Sequence, residues 1–269
     1  MTGVKSYSPY FAAMIVLLCF AFVLPMGRDW PAYSVTSLDQ LQTPYDIPSF
    51  RGMPFAFFAL PHALLNIDIG NAINLALNIL VIAAVARTYA GKSWHIAVAI
   101  TMTSPMGINL IMSNNIDWIP LSAFLITADC LAYPLLAMKP NVLAGAALIR
   151  FKHNPNPTAL IPLMAVLIAS IVVWGAWWQH LGSDLMGVSW NFAPFPYMIP
   201  IGAWVLWDAW KSEDEIKAAC ATPFLVPYFA PYSLTGLHVL LASRYRKAAI
   251  WLWCIGWWFL IISANRMGV

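Results

Sequence analysis

Charged residues are scarce in this sequence. Its 14 Lys and Arg and 11 Asp and Glu make up only 9% of 269 residues, whereas a soluble domain carries roughly a quarter. Hydrophobic residues reach 61%, and the mean hydropathy is +0.71. This composition excludes an ordinary soluble domain and predicts an all-α protein, a polytopic transmembrane helical bundle.

Cysteines are also few, and their spacing does not favour metal or redox chemistry. All of them lie in apolar runs with no CxxC pair and no Cys/His cluster: Cys19, Cys130, Cys220 and Cys254. The pattern suggests neither a disulfide framework nor a zinc site, and we expect no cofactor. The sequence also lacks a low-complexity tract, an extramembrane domain and a basic stripe of the kind that binds nucleic acid. It therefore predicts one transmembrane domain over residues 1–269 and no nucleic-acid partner.

The apolar segments predict about eight full membrane spans, joined by shorter re-entrant or interfacial helices. The candidate spans are residues 10–26, 70–86, 94–112, 118–138, 158–178, 194–210, 216–243 and 248–264. Pro227 and Pro231 interrupt residues 216–243, which favours two short helices meeting at a turn. Residues 53–66 are too short to span and contain Pro61, so we expect an interfacial or re-entrant helix there. Residues 142–149 are also too short, and the path of the chain around Lys139 stays open.

The basic residues predict the orientation of the chain. If residues 10–26 form an uncleaved anchor, ten Lys and Arg fall on the inner side: Lys5, Arg87, Lys92, Arg150, Lys152, Lys211, Lys217, Arg244, Arg246 and Lys247. Arg28, Arg51 and Arg266 then fall outside, and Lys139 is not assigned. Because basic residues concentrate on the cytoplasmic side of membrane proteins, we expect a multi-pass inner (plasma) membrane protein with a cytoplasmic N-terminus.

Residues 27–54 form a conspicuously polar stretch between two apolar segments, and this topology places them outside as a loop with a candidate active site. With this loop included, the outer face would gather the following polar residues: Asp29, Asp39, Asp46, Arg51, Asn114, Asn115, Asp117, His180, Asp184, Tyr228 and Tyr232. Asp29 beside Arg28 is suited to act as a general base, and a basic side chain could bind a phosphate. Simpler explanations exist for several acidic residues: Asp29 as a hydrated interfacial residue, Asp39 and Asp46 as turn formers, and Asp129 as the partner of a neighbouring helix.

Several short motifs follow one another in an order typical of one family. They are Thr43-Pro44-Tyr45, Met53-Pro54, Asn114-Asn115-Ile116-Asp117 and Lys139-Pro140-Asn141, preceded by Asp29 and followed by Pro227-Tyr228 and Pro231-Tyr232. The order resembles the integral-membrane GT-C glycosyltransferases, and in particular glycosyltransferase family 87, the polyprenol-phosphate-mannose-dependent mannosyltransferase-like proteins. The family patterns are Asn-Pro-Tyr, Pro-Pro, Gly-Gln/Asn-Ile-Asp and Lys-Pro-Gln, so each motif here departs at one position. The chain is also shorter than typical members.

The resemblance implies an inverting transfer of a sugar, a hexose such as mannose, from a polyprenyl-phosphate donor to an acceptor on the outer face. Asp29 occupies the position of the family's presumed base. Substrate-binding roles would fall to Arg28, Tyr45, Asp46, Arg51, Asn115, Asp117, Lys139, Tyr228 and Tyr232, with Arg51 or Lys139 on the departing phosphate. The scheme requires no metal, although Asp29 and Asp46 could hold a divalent ion.

Two other functions stay open at this point. Shortness and altered motifs would suit a non-catalytic GT-C-like subunit that packs with other membrane subunits in a larger complex. Proline-broken helices and Asp129 within a span would suit a small-solute transporter. The expected partners are the lipid bilayer and, for the enzyme, a lipid-linked sugar.

Overall fold

The computed structural model describes residues 8–181 and 191–267, and all regular secondary structure in these ranges is helical. The α-helices are α1 (Ser8–Val23), α2 (Leu38–Gln42), α3 (Ile67–Ala90), α4 (Trp94–Met102), α5 (Pro105–Ser113), α6 (Trp118–Ser122), α7 (Asp129–Met138), α8 (Pro140–Leu143), α9 (Gly145–His153), α10 (Ile161–Trp174), α11 (Ile199–Ser212), α12 (Glu215–Leu225), α13 (Leu234–Arg244) and α14 (Arg246–Met267). The predicted all-α class is confirmed. Lys5, Asp184 and the side chain of Arg266 lie outside the part that the structure describes.

Short 3-10 helices connect many of these elements. They are Trp30–Ala32, Pro44–Asp46, Pro54–Ala59, Pro61–Leu64, Gly91–Ser93, Ala123–Leu125, Pro157–Leu160, Trp177–His180 and Pro231–Ser233. Six of them begin at or directly before a proline. Proline fixes φ and lacks the N–H that a longer helix would need, so it starts a helical turn more readily than it continues one.

The expected eight full spans are not confirmed. Within the described residues, only Ile67–Met102 and Pro157–Trp174 are both long and apolar enough to cross a membrane. The apolar segment 94–112 is divided between α4 and α5 at Pro105, and 118–138 is divided into α6 and α7 by residues 123–128. The prediction was wrong about continuity because it counted apolar residues, whereas breaks in the helices decide span length. The break of 216–243 into two short helices, α12 and α13, is as predicted.

Helix α3 lies at the centre of the fold and packs against α1, α4, α6 and α13. Fully buried small side chains line these contacts, including Ala72, Ala86, Ala97 and Ala242. Small residues let helix backbones approach closely. The central position of α3 fixes the relative places of the loops at both of its ends.

Large apolar side chains cover the outer surface of the last helices. Val172 of α10 is 79% exposed, Trp204 of α11 68%, and Trp251 of α14 69%. Soluble monomers rarely expose contiguous apolar surface on this scale. The exposed faces and the two long apolar segments together indicate association with a membrane.

A charge cluster surrounds Arg150 near the C-terminal end of α3. The guanidinium pairs with Glu215 and lies 3.5 Å from Asp129, and it donates to the carbonyls of Ala123 and Ile126 at 2.9 Å each. Asp129 is therefore not isolated within a span, because it begins α7 and is paired with Arg150. This is the internal pairing that the sequence left open.

The polypeptide between α1 and α3 folds over the opposite end of α3 and contributes most of a second apolar core. The core contains Trp30, Phe50, Phe55, Leu60 and Ile119. Residues 53–66, expected to form an interfacial or re-entrant helix, instead form two 3-10 helices starting at Pro54 and Pro61. Phe55, Phe57 and Leu60 are buried against the protein, whereas Phe58, Leu64 and Leu65 are exposed.

Candidate functional site

The loop that carries Asp29 is attached to the C-terminal end of α5 through backbone hydrogen bonds. Arg28 N donates to the Met112 carbonyl at 2.9 Å, and Asp29 N donates to the Ser113 carbonyl at 2.8 Å. Gly27 N donates to Asn71 Oδ1 at 3.0 Å. These bonds hold the first residues of the loop against a rigid helix end, so the position of Asp29 does not depend on the rest of the loop.

Gly27 permits this contact because it has no side chain. A Cβ at residue 27 would lie 2.2 Å from Asn114 Cβ and 3.0 Å from the Ser113 carbonyl oxygen. We expect Gly27→Ala to lower the free energy of unfolding by about 1–3 kcal/mol, the usual cost of inserting a group into closely packed structure. Denaturation of the detergent-solubilised protein, followed by tryptophan fluorescence, measures this change.

Gly52→Ala is the matched control in the same loop. A Cβ at residue 52 would meet its nearest neighbour, Phe50, at 3.4 Å, which is ordinary contact. We expect this variant to unfold like the wild type. Equal stability of the two variants would show that the Gly27 contact does not constrain the fold.

A ladder of asparagines on α3 supports the turn that follows α5. Asn71, Asn74 and Asn78 are buried and spaced to lie on one face of the helix. Asn114 Nδ2 donates to Asn71 Oδ1 at 2.7 Å, Asn74 Nδ2 donates to the Asn114 carbonyl at 2.9 Å, and Asn78 Nδ2 donates to the Asn115 carbonyl at 2.7 Å. Asn114 has the left-handed conformation, with φ 49° and ψ 49°, which asparagine tolerates better than most residues. The ladder therefore fixes the turn that presents Asn115.

The Asn115 side chain contacts three other predicted site residues, Asp29, Lys139 and Tyr232. Its Nδ2 donates to Asp29 Oδ2 and to the Tyr232 hydroxyl, at 3.0 Å each. Its Oδ1 accepts from Lys139 Nζ at 2.8 Å and lies 3.4 Å from the Tyr33 hydroxyl. One amide thus connects the first loop, the turn after α5, the break between α7 and α8, and the segment before α13.

Lys139 and Asp117 form a buried ion pair beside that amide. Their side chains are 13% and 3% exposed, and Lys139 Nζ also lies 4.9 Å from the centre of the Tyr232 ring, within the range of a cation–π contact. Burial raises the pKa of Asp117, and the Lys139 ammonium opposes that rise. Asp117 Oδ2 is buried and has no hydrogen-bond partner among the described residues. Lys139, whose path the sequence left open, lies in the break between Met138 and Pro140 and belongs to this end of the fold.

Arg28 and Asp29 form the more exposed side of the cluster. Arg28 Nε lies 3.3 Å from Asp29 Oδ1, and the two side chains are 64% and 21% exposed. Arg28 Nη2 also donates to Ser113 Oγ at 2.9 Å. The cluster therefore presents one carboxylate and one guanidinium to the surroundings, with the second ion pair behind them.

Phenols complete the cluster. Tyr228 lies close enough to Tyr33 and Tyr232 to interact with them electrostatically, and Asn141 Nδ2 donates to the Tyr228 carbonyl at 3.3 Å. Burial and the neighbouring carboxylates raise the pKa of Tyr33. These hydroxyls stay protonated at neutral pH and act as neutral hydrogen-bonding groups. The site thus contains Arg28, Asp29, Asn115, Asp117, Lys139, Tyr228 and Tyr232 of the predicted set.

Three other predicted residues make their contacts elsewhere. The Tyr45 hydroxyl donates to the Gly52 carbonyl at 3.1 Å, and its ring stacks on His180 at 4.5 Å between centroids. Arg51 is exposed and donates to the Phe50 carbonyl at 2.7 Å. Asp46 is exposed in the 3-10 turn Pro44–Asp46. The Phe50 ring lies between Tyr33 and Tyr45, 5.8 Å and 5.4 Å from their centroids, so an aromatic layer separates these residues from Asn115.

This arrangement affects two assignments made from sequence: a divalent ion at Asp29 and Asp46, and the donor phosphate at Arg51 or Lys139. Asp46 is not brought into the cluster with Asp29, and the described ranges contain no group of three or more His, Cys, Asp or Glu placed to hold a metal ion. Arg51 points to its own loop, whereas Arg28 is the exposed cation beside Asp29. The chemistry available at the cluster is therefore proton transfer at a carboxylate and anion binding at a neighbouring guanidinium.

Comparison with known proteins leaves the family resemblance a prediction. No family model matches the chain, and neither the curated proteins nor the solved structures contain a significant match to it.

Proposed function

We propose that the protein is a membrane glycosyltransferase of GT-C type that moves a hexose from a polyprenyl-phosphate donor to an acceptor hydroxyl. The observation that supports this most is the convergence of Asp29, Asn115 and the Asp117–Lys139 pair from distant parts of the sequence. Asp29 accepts the proton of the acceptor hydroxyl, and the oxygen of that hydroxyl bonds to the anomeric carbon. The bond between that carbon and the phosphate oxygen breaks, and polyprenyl phosphate leaves with the electron pair. Attack opposite the leaving group inverts the configuration.

Asn115 and Lys139 orient the Asp29 carboxylate and do not themselves take part in the reaction. Asn115 Nδ2 donates to Asp29 Oδ2 at 3.0 Å, which leaves the other carboxylate oxygen beside Arg28. Lys139 holds Asn115 Oδ1 at 2.8 Å and thereby fixes which end of the amide faces Asp29. A general base works best when its geometry is set before the substrate arrives.

Arg28 is the best-placed residue for the donor phosphate. It is 64% exposed and lies 3.3 Å from Asp29, whereas Lys139 is already engaged by Asp117 and Asn115. We expect Arg28→Gln to raise the donor KM about 10–100-fold, because a charge-assisted hydrogen bond contributes about 1.5–3 kcal/mol. Arg51→Gln removes a charge from the same loop without touching the cluster and should leave KM unchanged. Equal effects of the two changes would mean that the total charge of the loop sets the donor KM, and not the position of Arg28 beside Asp29.

The proposed setting is a multi-pass arrangement in the plasma membrane with the cluster on the outer face. The site lies at the Asn71 end of α3, and Arg150 lies at the other end, where Tyr89 of α3 donates to the Phe124 carbonyl at 3.1 Å. From Asn74 to Tyr89 the helix rises roughly 22 Å at about 1.5 Å per residue. The basic residues Arg150, Lys152 and Lys217 then mark the cytoplasmic end.

Donor cleavage tests the proposal even while the acceptor is unidentified. The full chain, reconstituted in lipid nanodiscs, is incubated with polyprenyl phosphates that carry labelled mannose, glucose or galactose. Water replaces the acceptor slowly, so release of free hexose above a protein-free control supports transfer chemistry. No release and no bound donor for any of these sugars would refute the proposal.

A non-catalytic membrane subunit is the second candidate. It is favoured because the Lys139 ammonium is already occupied by contacts within the protein. That ammonium contacts Asp117, Asn115 and the Tyr232 ring at once, and buried ion-pair networks of this kind also serve purely structural roles. Co-purification of further subunits at fixed stoichiometry, together with no donor cleavage, would favour it. The transporter alternative loses Asp129 as support, because that carboxylate is paired with Arg150.

A further inference from the structure

Three cations lie close together where α14 begins beside the turn that precedes α4. Arg246 Nη2 donates to Ser93 Oγ at 2.7 Å, which joins the first residue of α14 to the 3-10 turn Gly91–Ser93. Lys92 and Lys247 are the chain neighbours of these two residues, and both are exposed. Lys92, Arg246 and Lys247 are called the basic patch below.

The basic patch differs from other cations at this end of the fold, because it has no acidic partner. Lys152 lies 3.1 Å from Glu213, and Lys217 lies 2.8 Å from Asp208. Within residues 8–181 and 191–267, no carboxylate forms an ion pair with any cation of the patch. The first turn of α14 contains no acidic residue either. The patch therefore keeps its positive charge and attracts anions from outside the protein.

Asp214 lies near the patch in the chain fold but does not neutralise it. One of its oxygens accepts from the Tyr245 hydroxyl and lies 3.8 Å from Arg244 Nε. The other oxygen accepts from the N–H groups of Ile216 and Lys217, at 3.0 Å each, and so caps α12. Both oxygens are engaged, and Arg244 offsets the charge of this carboxylate.

Exposed aromatic side chains border the basic patch along the two helices. Trp94 is the first residue of α4, Trp251 lies about one turn after the start of α14, and both are exposed. The helices run side by side from this end, since Trp253 Nε1 donates to Thr103 Oγ1 at 3.2 Å. Cations and tryptophans at the ends of apolar helices are typical of the headgroup level of a membrane. The patch thus combines a place for a phosphate with apolar surface for lipid chains.

We propose that the basic patch binds the headgroup phosphate of an anionic phospholipid, whose acyl chains lie along the exposed faces of α4 and α14. A soluble phosphate matches the charge but leaves the apolar border uncovered, and a zwitterionic lipid carries a cation of its own. The assignment goes beyond the proposed transferase, because the patch follows the Tyr89 end of α3. That end lies roughly 22 Å along the helix from Asn74, and Arg28 belongs to the Asn74 end.

Titration of the full chain in dodecyl maltoside with dioctanoyl phosphatidylglycerol tests the proposal. Dioctanoyl phosphatidylcholine is the comparison lipid, because it has the same acyl chains and a phosphate but no net charge. We expect the wild type to bind phosphatidylglycerol about 25-fold more tightly, roughly fivefold for each of the two exposed lysines. Raising the salt from about 0.1 M to about 1 M should reduce this preference, because screening shortens the reach of exposed charges.

Two double variants with the same total charge separate the patch from the net charge of the protein. Lys92→Gln/Lys247→Gln should lose most of the preference for phosphatidylglycerol. Lys152→Gln/Lys217→Gln removes two cations that have acidic partners and should keep it. Arg28→Gln should also keep it, since that residue lies at the other end of α3.

Several results would overturn the proposal. They are equal affinity of the wild type for the two lipids, an equal loss in both double variants, loss of the preference in Arg28→Gln, and displacement of phosphatidylglycerol by inorganic phosphate at the same concentration. The wild-type comparison of the two lipids decides the matter even if a double variant does not fold. None of these measurements depends on transferase activity, so their failure is distinct from failure of the proposed function.

Discussion

Asp29→Asn is expected to lower hexose release from the polyprenyl-phosphate donor by about 10²–10⁴-fold, the usual contribution of a positioned general base. The replacement keeps the shape of the side chain and leaves an oxygen that can accept from Asn115 Nδ2, at 3.0 Å in the wild type. It removes the carboxylate that accepts the proton of the acceptor hydroxyl. Its effect should therefore fall on the rate of cleavage and hardly on folding, since the lost Arg28 contact is exposed and contributes no more than about 1 kcal/mol.

Asp39→Asn is the matched control for that experiment. Asp39 belongs to the same loop and is exposed in the first turn of α2, so the same chemical change there should leave the rate unaltered. Elution as a single species and an unchanged midpoint of unfolding would show that both variants are folded. A wild-type rate in Asp29→Asn would remove Asp29 as the base, and with it the main chemical support for the proposed transferase.

The sequence predicted most of the residues in the cluster, but it also assigned to the site some residues that lie elsewhere. Asn115, Asp117 and Lys139 were selected from motif order, and the structure brings them to Asp29. Arg51 was selected as a cation of the outer loop but lies apart from them. A sequence does not reveal how a 28-residue loop folds upon itself, and here the aromatic layer around Phe50 divides it.

The asparagine ladder on α3 was missed, although its signal was present. Asn71, Asn74 and Asn78 follow the helical spacing within a segment whose other residues are mainly apolar. Polar side chains in such a segment usually face a partner inside the protein. Their partner, the turn at Asn114, lies about forty residues away in sequence, and only the folded chain shows that the two meet.

The predicted number of spans is not confirmed, for a different physical reason. Hydropathy measures the affinity of a segment for an apolar environment, while helix length depends on local backbone geometry. Pro105 begins a new helix within the segment 94–112, and the segment 118–138 is interrupted between Leu125 and Asp129. Apolar residues near such breaks are buried against other helices instead, as Ile119 and Leu121 are.

Lys139→Met is expected to lower the free energy of unfolding by about 3–5 kcal/mol near neutral pH, the usual result of removing one partner of a buried ion pair. Methionine occupies a similar space, so packing is largely kept. The loss arises because Asp117, only 3% exposed, keeps its carboxyl group in a buried position without the ammonium. Burial already raises the pKa of Asp117, and Lys139 is the main group that opposes the rise. Without Lys139 the pKa rises further.

The pH dependence of Lys139→Met distinguishes this cause from a simple packing defect. In the folded variant Asp117 stays protonated, whereas in the unfolded chain it ionises near its ordinary pKa of 3.8. The unfolded state then binds fewer protons than the folded state above that pH, so stability falls as the pH rises. Relative to the wild type, the variant should regain up to about 1.4 kcal/mol per pH unit on acidification from pH 7 down to the raised pKa of wild-type Asp117, below which both proteins have the same slope. Adding Asp117→Asn to the variant removes the titrating group and should abolish this slope, whereas a deficit that stays constant with pH would assign the loss to packing around Tyr232.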